Sequence, residues 1–165
     1  MTEFVQITYQ ITPIGIAKIV GDKNGIQSVS VLDDDTVSEE DLKKSVPECL
    51  QECVFQLDEY FKGKRESFNL TVNPQGTKFQ IKVWKSLLKI KYGKTTNYLA
   101  QSKSLGDVKA IRAVATANGK NPLWIVIPCH RVIGSDGSLT GYAGGIWRKQ
   151  WLLNHENPVK QQSLF

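Results

Sequence analysis

The sequence is poor in the features that define disulfide-rich and membrane proteins. Its 165 residues contain three cysteines and one methionine, and no apolar run is long enough to cross a membrane. Three cysteines cannot all pair, so we expect no disulfide framework. A reducing compartment is the expected location. The first ten residues have neither the charged nor the apolar region of a secretory signal. We therefore expect a soluble intracellular protein.

Acidic residues are scarce in the second half of the chain. Residues 1–75 contain 7 Lys/Arg and 13 Asp/Glu, a net charge of −6, whereas residues 76–165 contain 14 Lys/Arg and 3 Asp/Glu, a net charge of +11. A basic half is consistent with nucleic acid, an acidic partner or a membrane surface, and charge alone does not choose among them. The sign changes at the polar turn 73–76, where we place the boundary between domains 1–75 and 76–165.

The first domain combines strand patterns with a long helical pattern. Antiparallel strands are predicted around turns at 13–15 and 22–25, and a further strand over 68–72. Residues 39–61 repeat apolar positions at helical spacing, and Pro47 either divides this helix or begins a second one. Cys49 and Cys53 lie on one face of it. Because zinc needs four N or S ligands, we interpret both as core residues and expect no metal.

The basic domain contains a pattern typical of a helix-turn-helix. A helix is predicted over 77–90, a short one over 97–101 and a third over 107–117, with a Gly-containing turn between the last two. The second helix of this motif usually lies in a DNA groove. In this sequence the residues of that helix are mostly small and apolar. Such residues would allow close approach to DNA of any sequence, but they are equally typical of a helix that only packs in the core.

The stretch Ile-Val-Ile-Pro-Cys-His-Arg-Val-Ile at 125–133 presents a cysteine within an apolar run. Three β-branched residues predict a short buried strand that Pro128 ends, so Cys129 follows the end of regular structure. A free cysteine is usually a small core residue. A thiol reacts as thiolate, and a pKa of about 8.5 leaves only a few per cent ionised near neutrality. The base His130 and the cation Arg131 favour a reactive cysteine.

The end of the chain predicts a loop and a helix behind the reactive stretch. Residues 134–137 have the composition of a hairpin turn, and the Gly-rich segment 140–145 predicts a loop that closes over the site. A last helix is predicted over 147–155, packing through Trp147, Trp151 and Leu152, with a frayed tail from Asn157.

Several of these segments together resemble the O6-alkylguanine-DNA alkyltransferase family. The resemblance covers about residues 76–156 and rests on Ile-Pro-Cys-His-Arg-Val at 127–132, Arg-Ala-Val at 112–114, Asn-Pro at 121–122 and Tyr-Ala-Gly-Gly at 142–145. It implies an α+β protein, with an N-terminal ribonuclease-H-like domain of a small, mostly antiparallel sheet and a helix, followed by a winged-helix or helix-turn-helix-like domain. It also implies DNA repair in which Cys129 irreversibly takes an alkyl group from O6 of guanine, or O4 of thymine, once per molecule and without a cofactor.

The resemblance implies a catalytic set of Cys129, His130, Glu156 and Tyr98. His130 would reach Cys129 through a water, and Glu156 would hold the other ring nitrogen, as the acid does in a Ser-His-Asp triad. Arg112 would enter the duplex and occupy the space of an extruded base. Tyr98 would push the 3′ phosphate and then donate to guanine N3.

The remaining implied residues contact DNA or line the base pocket. Contacts to DNA are expected from Tyr98, Arg112, Ala113, Thr95 and Thr96, and a pocket from Val132, Tyr142, Ala143, Asn121 and Pro128. Ala143 stands where many relatives have serine, so a hydroxyl contact to the base is lost. The expected partner is double-stranded DNA carrying O6-alkylguanine, bound by a monomer in the cytoplasm, or in the nucleus of a eukaryote.

Three other functions fit parts of the sequence. A non-enzymatic protein that binds alkylguanine is one, although such proteins typically have tryptophan at the position of Cys129. A winged-helix regulator with a redox-sensing cysteine would need base readout that the Ala-rich helix does not offer. A Cys-His hydrolase would need an oxyanion hole, which backbone groups can form without a sequence motif.

Overall fold

A computed structural model describes residues 4–158 of the chain, which form two compact units. One contains the residues up to Gln75 together with Pro122–Val126, and the other contains Gly76–Asn121 and the residues from Ile127 onward. The predicted α+β class is confirmed, with an antiparallel sheet in the first unit and mostly helices in the second. Within the described residues no helix combines the length and apolarity that a bilayer crossing requires.

The first unit is built on a three-stranded antiparallel sheet. Strands β1 (Gln6–Thr12), β2 (Gly15–Asp22) and β3 (Gly25–Leu32) follow one another in the order β1-β2-β3. The second turn needs a residue with positive φ, and Gly25 supplies it at 137°. Ile16, Ile19 and Val29 are buried on these strands.

Two helices follow the sheet. Helix α1 spans Glu39–Lys43 and helix α2 spans Glu48–Phe61 with Pro47 as its N-cap, so proline both divides the predicted helix and begins the second one. Buried residues recur along α2 at three- and four-residue spacing: Leu50, Cys53, Leu57 and Tyr60. This stripe contacts β1 and β2.

Two predictions for the first unit are wrong. Cys49 is exposed whereas Cys53 is buried: both lie on the same side of α2, but Cys49 stands in the first turn of the helix and borders an open surface pocket. Residues 68–72 form no strand but an isolated bridge between Val72 and Ile26. The side chain of Gln56 takes both backbone groups of Asn69, accepting from its N–H at 2.9 Å and donating to its carbonyl at 3.0 Å.

The second unit contains the predicted helix-turn-helix. Helix α3 (Lys78–Leu87) starts at a capping box formed by Thr77 and Gln80, and helix α4 (Tyr98–Ser104) starts at Asn97, which accepts from the Ala100 N–H. A 3₁₀ turn at Val108–Ala110 then leads into helix α5 (Ile111–Gly119).

Buried polar contacts hold these three helices together. Trp84 Nε1 donates to the Ala117 carbonyl at 2.8 Å, which ties α3 to α5. The amides of Gln101 and Asn118 exchange hydrogen bonds of 3.0 and 2.7 Å, which tie α4 to α5. Because both amides are buried and paired, the angle between the two helices of the motif is fixed.

The reactive stretch differs from its predicted form. Residues 125–127 are not a strand: the Val126 N–H donates to the Trp124 carbonyl at 2.8 Å, and Ile125 has a φ of 74°. A run of apolar residues does not distinguish a strand from a buried turn. The strand comes after the cysteine instead, where β5 (Val132–Ile133) pairs in parallel with β4 (Thr96–Asn97).

The segments after β5 agree with the sequence in part. Residues 134–137 do turn, with the Gly137 N–H donating to the Gly134 carbonyl, but β5 pairs with β4 and not with a strand beyond the turn. Helix α6 spans Ile146–Glu156. Leu152 is buried as predicted, whereas Trp147 is 54% exposed, a correction to the predicted packing side. The predicted tail lies outside the described residues from position 159 onward.

Candidate active site

Cys129 begins a single 3₁₀ turn, Cys129–Arg131, that follows Pro128. The carbonyl of Ile127 accepts from the Cys129 N–H at 2.9 Å and from Asn121 Nδ2 at 2.8 Å. The Cys129 carbonyl accepts from the Val132 N–H at the end of the turn. Because every residue from Ile127 to Val132 is buried, these bonds fix the direction of the cysteine side chain.

A buried charge cluster lies next to this turn. His130 Nε2 lies 2.8 Å from Oε2 of Glu156, on the last turn of α6. Arg131 donates to both oxygens of the same carboxylate, at 2.8 Å from Nε and 3.1 Å from Nη2, and its Nη1 donates to the Ile90 carbonyl at 2.7 Å. The structure thus brings His130 and Glu156 together as the resemblance implied.

The protonation of this cluster follows from its burial and charges. Burial by itself raises the pKa of Glu156, but hydrogen bonds and charges from His130 and Arg131 hold it well below its usual range. Burial lowers the pKa of His130 in spite of the attraction of Glu156. A carboxylate only accepts hydrogen bonds, so the neutral ring carries its proton on Nε2 and leaves Nδ1 with a lone pair. Within residues 4–158 this buried Nδ1 has no hydrogen-bond partner.

Arg131 does not act on the thiol as expected. Its guanidinium is committed to Glu156 and Ile90, and burial raises the pKa of Cys129 while a hydrogen bond from Asn121 and the charge of Lys149 oppose that rise. Cys129 is 8% exposed. The free protein therefore holds a neutral thiol near pH 7, and the cation that favours its ionisation is Lys149.

Lys149 is a site residue that the sequence reasoning missed. Its side chain is fully buried, its Nζ donates to the Thr140 carbonyl at 2.7 Å, and it lies 5.9 Å from the centre of the Tyr98 ring. Burial lowers its pKa to about 8, against the attraction of Cys129. The available signal was its position seven residues before Glu156, since residues seven apart share a helix face.

Four of the predicted residues meet in an open cleft of about 600 Å³: Tyr98, Arg112, Tyr142 and Ala143. Tyr98 Oη donates to the Thr140 carbonyl at 3.2 Å, which joins α4 to the Gly-rich loop. Burial and then the charge of Cys129 raise the pKa of Tyr142 well above its usual value. Tyr142 therefore lines the cleft and also lies near enough to Cys129 for the charge of the sulfur to act on its hydroxyl.

The other predicted residues lie outside this cleft. Ala113 is exposed on α5, and Thr95 lines a separate cavity of about 300 Å³ that Glu156 also borders. Thr96 pairs with Val132 in the two-stranded sheet. Asn121, Pro128 and Val132 are buried around the reactive turn, so they position the cysteine and do not line the open cleft.

Comparison with known proteins identifies relatives over nearly the whole chain. A family model described as the DNA binding domain of 6-O-methylguanine DNA methyltransferase matches residues 78–158, and one described as the ribonuclease-like domain of the same protein matches residues 5–74. A methylated-DNA--protein-cysteine methyltransferase from Methanosarcina acetivorans is 42% identical over 146 residues, which cover 88% of this chain and 94% of the relative.

Solved structures agree with these matches. The crystal structure of Mycobacterium tuberculosis O6-methylguanine methyltransferase is 38% identical, with a TM-score of 0.82 and coverage of 94% of both chains. A crystal structure of M. tuberculosis OGT in complex with DNA is 38% identical, with a TM-score of 0.82 and coverage of 92% of both chains.

Proposed function

Since the chain belongs to the 6-O-methylguanine DNA methyltransferase family, we propose that it repairs DNA by transferring a methyl or larger alkyl group from O6 of guanine to the sulfur of Cys129. The observation that carries this proposal is the buried pair of His130 and Glu156 beside a cysteine in a fixed turn. The substrate is double-stranded DNA carrying the lesion, and O4-alkylthymine is a further candidate.

Ionisation of the thiol is part of the reaction, because burial raises the pKa of Cys129 in the free protein. His130 takes the proton on Nδ1. Side chains of adjacent residues rarely face each other, so one water relays the proton from Sγ. Glu156 and its Nε2 hydrogen bond then stabilise the imidazolium that forms, and Lys149 stabilises the thiolate.

DNA reaches this nucleophile with the damaged base turned out of the helix. O6 of a paired guanine is stacked inside the duplex, and extruding it costs a few kcal/mol, less for a poorly paired lesion. Arg112 is exposed at the edge of the cleft, where its guanidinium can fill the gap and stack on neighbouring bases. Tyr98 and the backbone of Tyr142 and Ala143 receive the extruded base.

The transfer is a displacement at the alkyl carbon. A carbon–sulfur bond forms while the bond from that carbon to O6 breaks, and the electron pair of the broken bond stays on guanine. Guanine is the leaving group, and a hydrogen bond from the Tyr98 hydroxyl to its N3 stabilises it. The product is a thioether without an activated carbonyl or a good leaving group, so water does not regenerate the thiol. Each molecule acts once, as a monomer and without a cofactor. We assign it to the cytoplasm, or to the nucleus of a eukaryote, where DNA is present and thiols stay reduced.

Intact mass spectrometry after incubation with an oligonucleotide containing O6-methylguanine tests this function. The wild-type protein should gain one methyl group, and Cys129→Ser should gain none. Cys49→Ser is the matched control, since it removes an exposed thiol and should leave the gain intact. DNA binding without any gain in mass would instead identify a lesion-binding protein.

A further inference from the structure

A row of four lysines runs along the exposed face of α3. This lysine ridge consists of Lys78, Lys82, Lys85 and Lys89, the last just beyond the helix, and all four are exposed. Their spacing of four, three and four residues places them on one face. The opposite face of the helix is buried through Val83, Trp84 and Leu87, so the position of the ridge in the fold is fixed.

The ridge has no acidic partner in the described part of the chain. Between Gly76 and Asn121 the sequence contains nine lysines, one arginine and a single acid, Asp107. That carboxylate accepts from the Lys109 N–H at 2.9 Å as the cap of a 3₁₀ turn. The ion pairs formed among residues 4–158 do not include a ridge lysine. Like charges at this spacing repel each other, so the ridge favours a bound polyanion.

The ridge also forms one wall of a groove. The groove encloses about 690 Å³, and its other wall is the turn of the helix-turn-helix, at Ser104, Leu105 and Gly106. It shares no lining residue with the cleft that contains Tyr98 and Arg112. In this motif the first helix crosses the DNA backbone while the second enters a groove, so the turn between them lies beside the path of a phosphate strand.

We propose that the lysine ridge is a second DNA-binding surface, which contacts phosphates of the same duplex outside the segment held by α5. The inference rests on the proposed function. From Lys78 to Lys85 the helix rises by about 10 Å, which matches roughly three steps of 3.4 Å along one DNA strand. Lysine ammonium groups contact phosphates as point charges without reading bases, so the ridge adds affinity at every sequence.

The test is the salt dependence of binding to an unmodified duplex of about 24 base pairs. Each phosphate contact steepens the slope of log K against log salt by about 0.9, so changing all four ridge lysines to glutamine should flatten the slope by about three to four. The matched control replaces Lys43, Lys44, Lys62 and Lys64 of the first unit with glutamine. It removes the same net charge and should leave the slope within one phosphate contact of wild type.

Two further measurements make the outcome decisive. Methyl uptake from the free base O6-methylguanine should be equal in all three proteins, which shows that the ridge variant is folded and its site intact. On a duplex of about 8 base pairs the ridge variant and the wild type should have nearly equal salt-dependence slopes. Such a short duplex covers little beyond the segment held by α5, so it cannot also reach the ridge. An unchanged slope on the long duplex would overturn the proposal, and so would two duplexes bound per wild-type molecule. Failure of methyl uptake in the wild type would instead refute the proposed function.

Discussion

The imidazole of His130 and the carboxylate of Glu156 form a buried hydrogen bond of 2.8 Å between Nε2 and Oε2. The bond fixes the ring proton on Nε2 and leaves Nδ1 as the accepting nitrogen. Glu156 is itself fixed by two hydrogen bonds from Arg131. Arg131 is therefore a positioning residue, which acts on the His130 ring through Glu156 and makes no hydrogen bond to the thiol.

Replacing Glu156 with glutamine should slow methyl transfer by about 10²- to 10⁴-fold, the usual contribution of a general base. The amide NH₂ can donate to Nε2, which moves the ring proton to Nδ1 and removes the accepting lone pair. Single-turnover methyl uptake measures the loss. Glu66→Gln, which changes an exposed carboxylate of the other unit, should have wild-type rates.

Alkaline pH distinguishes this role from a structural one. Above the pKa of Cys129 the thiol ionises without a base. The difference in methyl-transfer rate between Glu156→Gln and wild type should therefore become smaller as pH rises. A rate difference that stays constant over the whole alkaline range in which both proteins remain folded would contradict a role in proton transfer.

Lys149→Met should raise the pKa of Cys129 further and slow methyl transfer at neutral pH by about tenfold or more, because one pKa unit corresponds to 1.36 kcal/mol. The pH-rate profile with free O6-methylguanine, a substrate that needs no DNA contact, should shift to higher pH. Lys149→Arg keeps the charge and should shift the profile less. Lys103→Met removes an exposed lysine of the same unit and should shift nothing.

The sequence predicts those features that depend on local patterns. The helices predicted over 77–90 and 97–101 are present as α3 and α4, and Pro47 divides the first helical pattern. The motif around Cys129, matched as a resemblance, leads to His130 and Glu156 although 26 positions separate them. Both results depend on residue types at fixed spacing.

Features that depend on tertiary partners could not be predicted in this way. The predicted strand over 68–72 is reduced to one bridge to Ile26, and a glutamine side chain on α2 takes the backbone hydrogen bonds of Asn69. Lys149 looks like a solvated helix residue until the fold buries it against the loop carbonyl of Thr140. Arg131 is two residues from Cys129 in sequence, but its guanidinium binds the carboxylate of Glu156 and not the thiol.

The three thiols should differ in reactivity toward iodoacetamide without DNA. Cys49 is exposed and should be labelled first, whereas burial raises the pKa of Cys53 to about 12 and protects it in the native state. Burial also raises the pKa of Cys129 above its usual value, so its labelling should increase with pH without reaching a plateau below about pH 9. Peptide mapping by mass spectrometry measures each site. A plateau near pH 6 at Cys129 would show a preformed thiolate.

Arg112→Ala should separate DNA repair from the chemistry at the cysteine. Without a side chain to fill the space of the extruded base, methyl uptake from duplex DNA should fall on the order of 100-fold, corresponding to a few kcal/mol of unstacking. Uptake from the free base should be unchanged. Lys109→Ala, an exposed lysine in the turn before α5, should have a much smaller effect on duplex DNA. Equal losses on both substrates would show that Arg112 supports the site and not the extruded base.

Stability should fall in acid because of His130. Burial holds its pKa below 6.5 in the folded protein, so below about pH 6.5 the unfolded chain binds a proton that the folded protein does not. The free energy of unfolding should then fall by up to about 1.4 kcal/mol per pH unit. The lowered pKa of Glu156 adds a second loss, but only as pH falls below 4.5. Denaturant unfolding between pH 7 and 5 therefore isolates the histidine.

His130→Gln keeps a neutral donor to Glu156 and should abolish the decline in the free energy of unfolding between pH 7 and 5, whereas His155→Gln should retain it. A decline that persists in His130→Gln would mean that another group binds the proton.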